Sequence, residues 1–304
     1  MPEEKKKRVT FFTKNEIECP VCGARFRREE LLTGGGRLIA GPVTMELRRV
    51  YEPSKQYGVV NPLLYPVTVC PDCYFAALKD DFNKIKPEGR SKAKTTAEKR
   101  KVVIQRIFGN LDFRKERTLR HGAASYILAV NCYDYYDKWA SPTIKKAICS
   151  LRAAWLLGDL ETEEPLSEFG DLQNMFYQKA LEYYKEFLAK QEKGLESLDG
   201  IKHLGPDIDH NYGYDGILYL IAYLILRNLP YTKKTKKEQI EELSWAKLLV
   251  SKMFGFGKSS KNKPSLILDY ARELYGELTQ KIAQIQKELE QTDGEAAASF
   301  PISQ

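Results

Sequence analysis

Apolar positions follow two different rhythms along the chain, and the change falls near residue 95. Before it, β-favouring residues come in short runs broken by turn formers. Val9–Cys19 (VTFFTKNEIEC) reads as a strand entering a cysteine turn, and Arg25-Phe26-Arg27 as the returning strand of the same hairpin. Arg37–Ala40 and Thr44–Tyr51 form two further expected strands, separated by Gly41-Pro42. Asn61-Pro62 opens the extended stretch Leu63–Val69, and Tyr74–Leu78 (YFAAL) reads as the start of a helix. Asn83–Thr96, rich in Lys, Gly, Pro and Ser, shows no apolar period and reads as linker.

From residue 95 the period becomes helical. Helices are expected at Thr95–Phe108, Arg117–Asp137, Pro142–Leu157, Phe169–Leu198, Tyr212–Leu229, Glu238–Phe254 and Pro264–Leu289. Ser141-Pro142 supplies a cap and a first-turn proline for the third of these. Small residues fall where helices must approach closely, at Ala123-Ala124, Ala147, Ala153-Ala154, Ala222 and Ala246. Paired helices of this kind suggest a tetratricopeptide-like array of three hairpins without a clean repeat, with a plain bundle as the alternative. The expected layout is α+β. Residues 9–83 form a small zinc-ribbon-like module, 84–94 a basic linker, 95–290 the helical domain and 291–304 a disordered tail.

Two short cysteine pairs change the picture of the first region. Cys19-Pro20-Val21-Cys22-Gly23 and Cys70-Pro71-Asp72-Cys73 face each other across a long insert. A Cys-x-x-Cys turn leaves its amides free to point at the sulfurs and aims both thiolates at one ion. Two such turns complete a closed four-thiolate zinc site, so Cys19, Cys22, Cys70 and Cys73 are the expected ligands of one structural zinc ion. A pair of disulfides or a redox Cys-x-x-Cys is the competing reading; the chain shows no secretory signal, and redox chemistry needs only one pair. A closed site has no open coordination position with which to activate water. It acts as a staple.

At 304 residues, 43% hydrophobic and with 18 tyrosines, the chain can build a real core. The most apolar stretch, Ile217–Leu229, is interrupted by Arg227 and is too short to span a bilayer. No apolar signal core follows the charged start Met1–Arg8, so a cytoplasmic protein without membrane insertion is expected. The net charge of +7 is uneven: Lys84–Arg120 carries a net +9, and the chain beyond it is mildly acidic. That segment is the strongest nucleic-acid signal, with Lys92, Lys94, Arg100 and Lys101 as candidate phosphate contacts, although a solvated linker also explains it.

Asn61-Pro62-Leu63-Leu64-Tyr65 leading into Val69-Cys70-Pro71-Asp72-Cys73-Tyr74-Phe75-Ala76-Ala77, after an N-terminal CPxCG turn, resembles the bacterial family catalogued as domain of unknown function 2225. Arg152-Ala153-Ala154-Trp155 and Tyr270-Ala271-Arg272-Glu273-Leu274-Tyr275 are similar to segments of that family's helical region. In the family the second turn usually reads CPxCGYAA; here Tyr74 stands in place of the glycine. The resemblance implies a zinc-ribbon-like N-terminus, a helical-repeat C-terminus and no enzymatic activity.

The remaining chemistry-bearing residues are sparse. Cys132 and Cys149 lie on apolar helical faces and read as buried thiols. Gly34-Gly35-Gly36 lacks the Lys-Ser/Thr ending of a phosphate loop and reads as a turn. His203, Asp207, Asp209 and His210 share one loop that can be a metal or acid–base site, or a solvated helix cap. The functional expectation is a non-enzymatic zinc-binding adaptor that binds a protein partner through its helices. Tyr133, Tyr135, Tyr136, Tyr177, Tyr183 and Tyr184 serve it either as groove anchors or as core. Nucleic-acid binding through the ribbon and residues 84–120 is the alternative.

Overall fold

The computed structural model describes residues 8–32, 34–165, 168–199, 201, 212–254 and 265–298. The layout is α+β, with four antiparallel strand pairs followed by helices. The backbone divides into two compact units, Met1–His210 and Asn211–Gln304.

In the first unit, β1 (Thr10–Phe12) pairs with β4 (Glu29–Leu31) and β2 (Ile17–Glu18) with β3 (Arg25–Phe26), so the two pairs are successive stretches of one long hairpin. The insert forms a bulged hairpin of β5 (Ile39–Val43) and β6 (Arg49–Glu52). β7 (Val67–Val69) pairs with β8 (Ala76–Leu78). The expected helix at Tyr74–Leu78 is therefore a strand. Its apolar run satisfies its backbone by pairing with Val67–Val69, a partner that local pattern does not reveal.

The expected linker is also mostly helix. α1 (Pro87–Thr95) and α2 (Ala97–Phe108) bury Gly89, Ala93, Arg100, Ile104 and Phe108. A Cβ at Gly89 would lie 2.2 Å from the Tyr135 carbonyl oxygen, so only glycine permits this approach. α3 (Leu119–Cys132), α4 (Pro142–Glu163) and α5 (Phe169–Glu192) pack consecutively, and α3 also packs on β7 and β8. α4 is not capped by Ser141. Ser141 has a left-handed φ of 45° and donates its hydroxyl to Ser197 O, while buried Glu196 accepts from the amide and hydroxyl of Thr143.

The β region does not stand apart as a module ending at residue 83. Phe75 and Phe82 join the core with Phe26 and Tyr136. Buried Asp81 binds Lys145 of α4 at 2.6 Å and accepts from Tyr133 Oη at 2.8 Å. Arg48 of the insert hairpin pairs with Asp159, and Glu46 accepts from Tyr177 Oη and Trp155 Nε1. Strands and helices thus share one core, and the sequence boundary at 83 marks a change of charge rather than of packing. Tyr133, Tyr136, Tyr177 and Tyr184 are buried in it. Tyr135 and Tyr183 are half-buried, with Tyr135 Oη 2.7 Å from Thr96 Oγ1 and Lys146 Nζ 4.3 Å from the Tyr183 ring.

The second unit contains α6 (Gly213–Asn228), α7 (Lys236–Ser251) and α8 (Ser265–Ala298), each in contact with the other two. Thr235 and Glu238 form a reciprocal capping box at the start of α7. Ile267, Ala271, Leu274 and Leu278 of α8 are buried at alternating four- and three-residue spacing and Ile285 lies two turns further on, while Ile282 and Leu289 are only half-buried. The helix runs through residues 291–298, where the sequence reads as tail.

Candidate metal centre

Each cysteine pair sits at the tip of a two-stranded hairpin, and the two tips are built alike. In the first, the Cys19 amide donates to Ala24 O and the Gly23 amide to Cys19 O, both at 2.9 Å. In the second, the Cys70 amide donates to Phe75 O at 2.9 Å and the Tyr74 amide to Cys70 O at 3.0 Å. The residue after each second cysteine closes the turn in the left-handed region, with φ +76° at Gly23 and +55° at Tyr74. Glycine suits that geometry, since a side chain there is strained by about 1–2 kcal/mol. Tyr74 has compensating contacts. Its hydroxyl donates to Leu111 O at 2.7 Å and its ring meets Phe113 edge-on at 5.3 Å.

The tips bring four sulfurs together, all ligand atoms lying within 4.8 Å of one another. Cys19 Sγ is 3.7 Å from Cys73 Sγ, and Cys22 Sγ is 3.6 Å from Cys70 Sγ. A tetrahedral site with bonds of about 2.3 Å has a sulfur–sulfur edge of about 3.8 Å. A disulfide needs about 2.05 Å. The sulfurs are unbonded and spaced for a shared ion. Amides support the charge they would carry: Val21 and Cys22 toward Cys19, Ala24 toward Cys22, Cys73 toward Cys70 and Phe75 toward Cys73.

Protonation of the cluster points the same way. Cys19 is pushed up to about 12, first by its hydrogen bond with Cys70 and further by burial. Cys73 is pushed up to about 12 by its hydrogen bond with Cys19 and by burial. For Cys70, the Cys19 contact favours the thiolate, but the Cys73 contact and burial outweigh it and raise it to about 12. Only Cys22, the exposed member, is lowered. Burial opposes that shift, and the Ala24 amide with the neighbouring sulfurs overcomes it. Four thiolates cannot share this space without a cation, and a bound cation would expel the protons. The four cysteines can therefore hold a metal ion.

The sequence did not expose what holds the second turn. Arg100, proposed above as a phosphate contact, is buried at 4% exposure. Its Nη2 and Nε donate to Cys73 O at 2.9 and 3.3 Å, and its Nη1 donates to Ala93 O and Thr96 Oγ1 at 2.8 and 2.7 Å. It is a structural tie between α1, α2 and the metal turn. Lys92 and Lys94 remain exposed, and Lys101 pairs with Glu98 at 2.8 Å. Cys132 and Cys149 are buried thiols raised by burial to about 11 and 12. Cys132 Sγ accepts from the Ala76 amide at 3.4 Å. His203, Asp207, Asp209 and His210 lie outside the described residues.

Paired cysteine turns on hairpins packed against helices define an α+β protein with a four-cysteine centre able to hold a metal. The chain belongs to the family described as uncharacterized protein conserved in bacteria (DUF2225), whose model matches residues 12–278. An uncharacterized protein of Borreliella burgdorferi (strain ATCC 35210 / DSM 4680 / CIP 102532 / B31) is 42% identical over 277 residues, covering 91% of this chain and 98% of the relative. No solved structure matches the chain. No helix among the described residues is long and apolar enough to cross a membrane.

Proposed function

We propose that the protein is a non-enzymatic adaptor whose four cysteines bind one structural zinc ion and whose helices carry a protein partner. The observation that supports it is the closed sulfur cluster, all donor atoms within 4.8 Å, joined through Arg100 to α2. All-thiolate tetrahedral donor sets favour zinc, and such a site fixes structure rather than performing chemistry. While Arg100, Ile104 and Phe108 hold α2 to the core, Val102 and Val103 on the same helix are 60% and 36% exposed. A partner surface there would depend on the metal turn beneath it. Elemental analysis of the purified full chain should find equimolar zinc, and photo-crosslinking from position 102 in its native host should yield a discrete adduct. That adduct should be lost in both Val103→Glu and Cys73→Ser. An adduct unaffected by either change would sink the adaptor reading, and a chain purified with iron instead would sink zinc.

Nucleic-acid binding is the second reading, favoured by one juxtaposition. Lys86 at the start of α1 pairs with Asp137, which places the 79%-exposed Trp139 beside the basic helix. Lys86, Arg90 and Lys94 share one helical stripe, and Lys138 Nζ lies 5.3 Å from the Trp139 ring centre. A basic track beside a stacking platform suits single strands. Fluorescence quenching of Trp139 by oligothymidylate, weakened by salt and by Lys94→Glu, is the expected signal. Quenching insensitive to salt would exclude it.

A further inference from the structure

A cavity of about 640 Å³ in the first unit lies between the insert hairpin, residues 59–65, the start of α3 and the end of α4. Its volume is in the range of small-molecule sites. Its charges are unevenly satisfied. Arg48 is neutralised by Asp159 through two parallel hydrogen bonds, at 3.0 and 2.5 Å. The exposed carboxylate of Glu163 also borders the space. Arg117 is different. Among the described residues its guanidinium has one hydrogen bond, Nη1 to Leu64 O at 2.8 Å, and no carboxylate at ion-pair distance. Phe113 lies under it at 5.8 Å, and the Glu29 carboxylate is occupied by the Arg117 backbone amide at 2.8 Å.

A half-buried cation without a carboxylate partner is costly, and burial pulls Arg117 down to about 10. It lines the cavity together with Tyr65, whose hydroxyl has no hydrogen-bond partner among the described residues. Burial, then nearby Glu29, pushes Tyr65 up to about 12, so at neutral pH it remains a donor. Asn61 lines the same space; its Oδ1 accepts from the Leu63 amide, leaving its side-chain NH₂ as a further donor. Apolar wall is supplied by Val59, Val60 and Leu119.

We infer that this cavity binds a monoanionic carboxylate bearing a short apolar group, with Arg117, Tyr65 and Asn61 holding the carboxylate and the valines and Leu119 holding the tail. A guanidinium matches a carboxylate's geometry, and a charge-assisted pair removes the unpaired cation. The apolar wall argues against a bare inorganic anion. Two sources present this chemistry, a free acyl-chain acid and the C-terminus of a peptide ending in an apolar residue.

The test is calorimetric titration of the full chain with octanoate, N-acetyl-leucine and, as the uncharged isostere, octanamide. One-to-one binding of either carboxylate is expected, with octanamide at least about tenfold weaker. Tighter octanoate would identify the acyl source, and tighter N-acetyl-leucine the peptide source. Arg117→Gln and Tyr65→Phe should each weaken binding by about tenfold. Leu119→Trp, which narrows the cavity without touching the donors, should abolish it should Arg117→Gln fail to fold. The proposal is overturned if neither carboxylate binds saturably, if octanamide binds equally well, or if Tyr65→Phe and Leu119→Trp leave affinity unchanged.

Discussion

The two cysteine turns have the same backbone and unequal support. Both close a hairpin with the same pair of amide hydrogen bonds and a left-handed residue. In the first, Cys19 is buried but Cys22 is exposed, and nothing lies within 4 Å of where a Gly23 side chain would begin. Around the second, Cys70 and Cys73 are buried, Tyr74 is anchored on Leu111 and Phe113, and Arg100 grips the Cys73 carbonyl. Protein packing holds the second turn in place, and the first depends more on the ion the two would share. A metal ion held by the four cysteines would complete a half-built site.

The strongest way to break this comparison is to deny the four cysteines a metal ion. After chelation, or in Cys22→Ser, amides 17–26 should exchange rapidly while amides 67–78 stay protected, read by hydrogen-exchange mass spectrometry. Equal loss of protection in both turns would show that the second has no support of its own. Bound metal should also displace protons, so loading in weak buffer should acidify the solution and weaken as pH falls.

Next in size is Arg100→Leu. It leaves the Cys73 and Ala93 carbonyls without this buried donor and should cost about 3 kcal/mol in denaturant midpoint experiments. A loss within experimental error would mean that the guanidinium is dispensable to the turn. A finer comparison sets Tyr74→Phe against Gly23→Ala. The first loses the Leu111 hydrogen bond and the second forces a Cβ into φ +76°, so each should cost about 1 kcal/mol. The alanine penalty should persist in chelated protein only if the first turn keeps its shape without metal.

The smallest effect lies one layer deeper, where Phe113 meets both Tyr74 and His121 edge-on at 5.3 Å. Burial, with Arg117 nearby, lowers the His121 pKa, so the folded protein holds that proton less tightly than the unfolded chain. Its contribution is fully favourable above the unfolded value of about 6.5, declines as pH falls through the folded value, and levels off below. Melting temperature should therefore drop between pH 7 and 5, and less so in His121→Asn. An identical drop in the variant would assign the pH dependence to other groups.

The four ligand candidates and the first hairpin were legible because they are local. Cys-x-x-Cys spacing needs only a tight turn, and alternating residues around it need only a neighbouring strand. Most core positions of α8 follow a 3.6-residue period, which records the buried face, whereas α6, the most apolar stretch, is buried nearly all round. What the sequence hid was set by partners far along the chain. Ala76–Leu78 is a strand because Val67–Val69 supplies its hydrogen bonds, and α4 is capped by Glu196 rather than by Ser141. Arg100 looked like one more charge in a basic run. Packing of α1 and α2 turned it inward, toward carbonyls that only the folded second turn presents. Sequence by itself determined the four-cysteine set, the strand-to-helix order and most helical faces. Tertiary structure alone decided that strands and first helices share a core, that Tyr74 is supported in a left-handed position that suits glycine, and that Arg117 stands without a carboxylate partner beside a cavity. Each of those depends on long-range burial, which fixes whether a polar group finds a partner and which no local pattern encodes.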